Sequence, residues 1–290
     1  MANTILTPDI IAREALMVLR NNAVMANLVH RDYSDEFAAV GDTITIRKPA
    51  TFVANEYNGS KITVQDATEA GVPVTIDKHL DVSFAVTSKE MALDIADFSK
   101  QFLVPAMQAF ADKVDKYLIG LEASATNRVA HASGEIAPKD VIEARKYLTK
   151  NAAPLADRRF VVGATAEADL LNSELFVSAE KVGDEGTALR EASLGRKFGL
   201  DCYVDQNVDK ADGYTPSIAF HKNAMALVTR PLALPQGAAK AAIVNYDGFG
   251  LRVVYGYDMN TKTDTVSIDM ICGVKLLDQN LISVVADTRA

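Results

Sequence analysis

Few residues of this 290-residue chain are of a type and spacing that could do chemistry, and they lie far apart. Ser178-Ala-Glu-Lys181 sets a lysine one helical turn after a serine, a spacing at which an amine can take the hydroxyl proton and leave a nucleophile. The Ser-Asp-Asn and Lys-Thr-Gly segments that accompany such a pair are missing, so Ser178 and Lys181 read as a solvated helix end. A cytoplasmic serine hydrolase is the enzyme this pair would support. Asp247-Gly-Phe-Gly250 has nearly the composition of a metal-holding Asp-Phe-Gly turn, but a glycine displaces the phenylalanine, and the stretch reads as a turn before a strand at Leu251. His79, between Lys78 and Leu80, reads as a surface histidine on a strand. Asp112, Asp115 and Glu122 are interspersed with Lys113 and Lys116, the pattern of a solvated helix face rather than of paired catalytic carboxylates. Cys202 and Cys272 stand with His30, His79, His131 and His221 in none of the close pairs a zinc site needs, and the two thiols read as buried and free. The chain has no Gly-x-Gly-x-x-Gly, phosphate-binding loop, His-Glu-x-x-His or Gly-x-Ser-x-Gly. These residues therefore assign no catalytic group, metal site or cofactor.

What must position such residues is a chain long enough to bury a sizeable core, with 49% hydrophobic residues. No apolar run reaches the ~18 residues of a membrane span, and Asp9, Arg13 and Glu14 interrupt the apolar region a signal peptide would need. A protein that stays in the cytoplasm where it is made is expected. A net charge of −8, from 30 basic and 38 acidic residues, disfavours a protein whose main work is gripping nucleic acid through its phosphates.

Thr7-Pro8-Asp9 followed by Ile11, Ala15, Val18 and Leu19 predicts a short amphipathic helix from 8 to about 21. From Gly41 the period becomes two, with Thr43-Ile-Thr-Ile-Arg47 alternating as a half-buried strand. Phe52 to Gln65 centres on Asn58-Gly59, a strong signal for a tight hairpin turn. Alternation resumes at Val74 and Ile76, skips Lys78, and continues through Leu80, Val82, Phe84 and Val86, predicting one strand from Val72 to Thr87 about 50 Å long. Asp97 to Ala125 carries an apolar stripe at helical spacing from Phe98 to Leu121, with Pro105 marking a kink or the true start. Residues 126 to 245 mix helices and strands: a helix over Pro138 to Lys150, a strand at Arg159 to Gly163, a helix capped by Thr165 and running to Leu171, a loop opening at Gly183, and a strand at Leu200 to Val204. Leu251 to Tyr257 and Val266 to Cys272 alternate about a turn at Asn260 to Thr263.

This order of elements resembles the tailed-bacteriophage major capsid proteins of the Hong Kong 97-type fold, and among them the short-tailed-phage coat proteins. The resemblance is carried by Ser83 to Ser99, by Arg159-Phe-Val-Val-Gly163 followed by Leu170-Leu171, by Ala188 to Val208 with its small residues and spaced glycines, by Ala219 to Leu227, and by the terminal hairpin. Together these cover most of the chain.

The resemblance implies an α+β capsid fold: an N-terminal arm at 1–40, an extended β-hairpin loop at 41–87, a peripheral domain with its spine helix at 88–135, an axial domain at 136–240, and returning peripheral strands at 241–290. It implies self-assembly through hexamers and pentamers into an icosahedral virion shell that encloses double-stranded DNA, put together in the cytoplasm of a bacterial host. Intersubunit contacts are expected at Phe52, Tyr57, Asn58, Gly59, Lys61 and Ile62 of the loop, at Ile11 and Leu19 of the arm, and at Asp184 and Glu185. A separate scaffolding protein, a portal and possible decoration proteins are the implied partners, with only weak contact to the packaged DNA. Lys61 and Asn280 are of the types that cross-link neighbours in one variant of the fold, but no cross-link or catalytic residue is assigned. An encapsulin-like shell around a cargo enzyme shares the fold and is the first alternative. An arm, a long hairpin and a long helix cannot all bury their apolar faces within one compact subunit, so neighbouring copies are expected to complete the burial.

Overall fold

The computed structural model describes residues 8–31, 43–47, 52–56, 59, 64–65, 71–87, 102–129, 134–177, 192–210, 213–236, 240–246 and 249–288. Helices α1 (Pro8–Asn22) and α2 (Met25–Leu28) come first, followed by strands β1 (Thr43–Arg47), β2 (Gly71–Thr75) and β3 (Lys78–Thr87). Helix α3 (Val104–Gly120) leads through a 3-10 turn to β4 (Arg128–Val129), α4 (Pro138–Lys150), β5 (Arg158–Val162), α5 (Ala164–Leu171) and α6 (Glu174–Val177). The remainder is mostly strand: β6 (Arg196–Lys197), β7 (Leu200–Val204), β8 (Tyr214–His221), β9 (Met225–Arg230), β10 (Lys240–Tyr246), β11 (Phe249–Asp258), β12 (Thr263–Leu276) and β13 (Ile282–Thr288).

The first sheet follows from alternation. β10, β11, β12 and β3 pair antiparallel in that order, and β9 joins the far end of β12. The register sets Val253, Ile268 and Val82 in one row, so the apolar set of each strand falls on the same face. Against that face lies α3, whose Met107, Phe110, Ala111, Val114 and Leu118 recur every three to four residues and are buried. Phe84 stacks on Phe102 with ring centroids 5.3 Å apart, just before α3 begins. α1 closes the same core with Ile11, Ala12, Ala15, Leu16 and Leu19, packing on α3, β10 and β11.

α3 has 17 residues and is about 26 Å long at 1.5 Å per residue. Pro105 sits in its first turn, directly after Phe102 and Leu103, which lead into it as a short π-helical stretch. Residues 97 to 101 of the expected helix lie outside the described residues.

The second sheet has the order β4-β13-β8-β5-β7-β6. Both of its faces are covered. Ile218, Phe220, Ile282 and Val284 face the core shared with α3, while Phe160, Val162, Ala219 and Val285 pack under α4 and α5 with Val141, Ala144, Leu148, Ala166 and Leu170. β13 runs antiparallel to β8, so Ile282 to Thr288 lies in this sheet and not in that of β10 to β12. Arg158, 2% exposed, fastens the turn after α4 by donating to the carbonyls of Ala153 and Pro154 and to Thr149 Oγ1.

Two local readings need correction. The strand expected from Val72 to Thr87 is broken at Ile76 and Asp77: β2 pairs with β1, whereas β3 pairs with β12. β12 passes so close to the break that a Cβ on Gly273 would lie 2.3 Å from the Thr75 carbonyl oxygen. Thr165, expected to cap α5, is inside the helix. The capping oxygen comes instead from Asp209, whose Oδ2 accepts from Thr165 N at 3.0 Å and from its Oγ1 at 2.9 Å.

Candidate assembly surface

β1 and β2 form the base of a hairpin, from Thr43 opposite Thr75 to Arg47 opposite Gly71. Ile46 and Val74 turn inward and pack with Ala226, Val228 and Leu277, so the base is seated on β9 and the end of β12. Val53 and Gln65 hold the two limbs together: the Val53 amide donates to Gln65 Oε1 at 2.8 Å, and Gln65 Nε2 donates back to the Val53 carbonyl. Gly59 has φ +84°, the positive value a tight turn requires.

The described apolar residues of this loop are uncovered. Phe52, Val53 and Val64 are 65%, 69% and 81% exposed. Scattered exposed apolar residues are ordinary, but three large ones between the same two strands form a surface that association would bury.

The other expected contact residues divide into two groups. Tyr57, Asn58, Lys61, Ile62, Asp184 and Glu185 lie outside the described residues, as do Ser178 and Lys181. Ile11 and Leu19 are 3% and 0% exposed inside their own subunit. They hold α1 to α3 and the sheet, because the apolar stripe of α1 meets a matching face within its own chain. Met17, on the opposite side of α1, is 59% exposed. A further exposed pair escaped sequence reading: Tyr257 and Met259, at the β11–β12 turn. In the sequence Tyr257 continues a strand alternation, and nothing there says that its side chain stays exposed.

The polar residues build joints. Asp115 and Glu122, expected on a solvated face, are 1% and 2% exposed. Asp115 accepts from the backbone amides of Val24 at 2.8 Å and Ala26 at 2.9 Å, tying the α1–α2 corner to α3. Burial pushes its carboxyl up from 3.8 to about 7 against the opposing effect of those amides. Glu122 closes a cluster with Arg128 NH2 at 3.1 Å, Lys210 Nζ at 3.0 Å and Tyr214 OH at 3.0 Å, joining the end of α3 to the second sheet. His79 is on an exposed edge, 3.6 Å from Asp269, whose carboxylate is held by Arg252. Asn280 stands in a 3-10 turn and donates its backbone N–H to Asp278 Oδ1. Burial pushes the Cys202 thiol up to about 11 and the Cys272 thiol up to about 12, far from thiolate chemistry at neutral pH. Among the described residues, no group of three or more His, Cys, Asp or Glu is arranged to hold a metal ion, and no helix is long and apolar enough to cross a membrane.

No family model and no curated protein matches the chain. Solved structures do. A chain of Mycobacterium phage Che8 overlays it with a TM-score of 0.70 at 22% identity, over 91% of this chain and 90% of the other. A capsid chain of the cyanophage P-SCSP1u overlays it with a TM-score of 0.61 at 13% identity, over 87% and 85% of the two chains. A mature-capsid chain of bacteriophage PhiM1 does so with a TM-score of 0.59 at 13% identity, over 86% and 83%. Nearly the whole length takes part in each overlay, so two sheets bridged by α3, with the β1–β2 pair packed on β9, is the α+β fold of phage capsid chains.

Proposed function

We propose that this chain is the major capsid protein of a tailed bacteriophage, a structural subunit and not an enzyme. Its copies would associate as hexamers and pentamers into the icosahedral shell around the double-stranded DNA genome. The observation that carries this reading is the hairpin: Ile46 and Val74 of its base are buried with Ala226, Val228 and Leu277, while Phe52, Val53 and Val64 beyond the base are exposed. On a capsid fold, such a surface is completed by a neighbouring copy, since apolar area left in water on every subunit is recovered on association.

The parts acquire roles on this reading. The β1–β2 hairpin and residues 48–70 are the extended loop of a Hong Kong 97-type subunit, and α3 is the spine helix. The sheet of β3 and β9 to β12 with α1 and α3 is the peripheral domain, and the second sheet with α4 and α5 is the axial domain. β13 then belongs with the axial sheet. Phe52 and Gly59 remain the described loop residues proposed to touch a neighbour, together with Tyr57, Asn58, Lys61 and Ile62. A scaffolding protein and a portal are the proposed assembly partners. A net charge of −8 suits a wall that must release a polyanion instead of trapping it.

Deleting residues 52–65 tests the reading. The truncated chain is expected to keep the circular dichroism and cooperative melting of a folded subunit but to yield no stable particles by electron microscopy. Particles equal in number and stability to the full-length ones would overturn the role of the loop. Full-length particles filled with a folded enzyme and lacking nucleic acid would replace the phage shell by a cargo compartment.

A further inference from the structure

One side of α3 is uncovered. Gln108, Ala109, Asp112, Lys113, Lys116 and Gly120 share that side by helical spacing and are all exposed, while the opposite side of the helix is buried in the core. The turn after β7 runs beside this face. Asn207 Nδ2 lies 3.4 Å from Asp112 Oδ1, and three residues further on Lys210 Nζ reaches Glu122 Oε1 at 3.0 Å, in the 3-10 turn that follows α3. Arg128 NH2 meets Glu122 Oε2 at 3.1 Å. Tyr214 steadies both cations: its hydroxyl accepts from Arg128 NH1 at 3.0 Å, and Lys210 Nζ sits 4.7 Å from its ring centroid. The carboxylate of Glu122 is buried, whereas the two cations that it holds remain exposed.

The exposed charge along this face is therefore mostly of one sign. Lys113, Lys116, Lys210 and Arg128 stand against Asp112, and even with buried Glu122 counted the group is positive on a chain of net charge −8. None of the large apolar residues exposed among the described residues lies on α3 or on residues 205–210, so the face lacks the apolar centre of a protein interface and offers charge alone.

We propose that this face is a sequence-independent contact for the phosphate backbone of double-stranded DNA, with Lys113, Lys116, Lys210 and Arg128 as the phosphate-binding residues. From Lys113 to Glu122 the row extends about 14 Å at 1.5 Å per residue, a length over which one strand of a duplex presents about four phosphates. Arg128 spends donors on Tyr214 OH, the Glu122 carbonyl and the Glu122 carboxylate, and its remaining N–H groups are free for a phosphate oxygen. The lysines act as point charges, which hold a backbone without reading bases. The acidic remainder of the chain keeps the contact local, so a duplex is touched and not wrapped. That DNA is present rests on the phage-shell reading; the cationic row does not.

Fluorescence anisotropy of a short labelled duplex of mixed sequence, titrated with the dispersed full-length chain at increasing salt, tests the contact. Binding is expected at about 20 mM salt, with log affinity falling against log salt at a slope of about −2 to −4. Joint Lys113→Gln and Lys116→Gln substitution is expected to reduce the magnitude of that slope by about two and to weaken binding at the lowest salt by about tenfold or more. Both lysines are exposed, so circular dichroism and melting should not change. Joint Lys139→Gln and Lys150→Gln substitution removes the same charge from exposed positions of α4 and is expected to leave the slope as it was. No binding by the wild type at the lowest salt would overturn the proposal, as would equal losses in the two double variants, which would make the effect one of overall charge. Loss of particles in the Lys113 and Lys116 variant with DNA binding intact would make the face a contact between copies and would also overturn it. The anisotropy decides the contact whether or not particles form, so its failure and the failure of the shell reading are told apart.

Discussion

Gly273→Ala should displace the hairpin, and the size of the effect follows from the crossing of β12 beneath the β2–β3 break. The new Cβ would lie 2.3 Å from the Thr75 carbonyl oxygen, 3.0 Å from its carbon and 3.2 Å from the Ile76 Cα. Ordinary C···O approaches are about 3.3 Å or longer, so the backbone must yield by about 1 Å. These are backbone atoms, and no side-chain rotation relieves the contact. Overpacking of this kind costs roughly 1–3 kcal/mol, which in a domain of this size corresponds to a fall in Tm of roughly 3–10 °C. The strain falls where β2 hands over to β3, so faster exchange is expected at β1 and β2 before β11 or β12. On the proposed shell reading, particle yield should also fall more steeply than subunit stability. Gly256→Ala is the control: it lies in the same sheet, and nothing comes within 4 Å of its added Cβ. Calorimetry and hydrogen exchange on the two variants decide the matter. A Gly273→Ala protein that melts with the Gly256→Ala protein and exchanges normally at β1 and β2 would refute the reasoning.

Other expectations follow from the buried polar groups. Glu122→Ala leaves Arg128, Lys210 and Tyr214 without their shared acceptor; the two cations are more than a third exposed and can rehydrate, so urea unfolding should show a loss of about 1–3 kcal/mol. The Asp115 carboxyl is raised on folding, so its contribution to stability is complete below about pH 4 and is lost as pH rises through about 7. The span from 3.8 to about 7 is worth on the order of 4 kcal/mol, and chemical denaturation of Asp115→Asn should show a correspondingly flatter pH profile over that window. Cys202 and Cys272, raised by burial to about 11 and about 12, should react with a thiol reagent at about pH 8 far more slowly in the folded chain than in denaturant. Rapid native labelling of Cys272 would show that β12 is not buried as described.

Where one face of an element is buried and the other wet, the sequence shows it. α1, α4, β3, β11 and β12 are legible because their apolar residues recur at the period of their own geometry. β8 and β9 are not, since both faces of these strands are covered and Thr215 to His221 and Met225 to Thr229 are buried without interruption, which erases the period of two. The hairpin signal at Asn58-Gly59 likewise marks a turn without marking what supports its base.

The sequence by itself determined the class of elements, their order and the absence of the named catalytic motifs, because propensity and hydrophobic period are local properties. Tertiary structure decided which of these side chains stay exposed. Ile11 and Leu19 were spent inside the subunit while Phe52, Val53 and Val64 were left outside, and Asp115 and Glu122 became buried joints. The break between β2 and β3, the capping of α5 from Asp209 and the transfer of β13 to the second sheet depend on residues that meet only after folding. No pattern read along one segment carries the position of another, and that is the physical reason these pairings and burials had to be read in three dimensions.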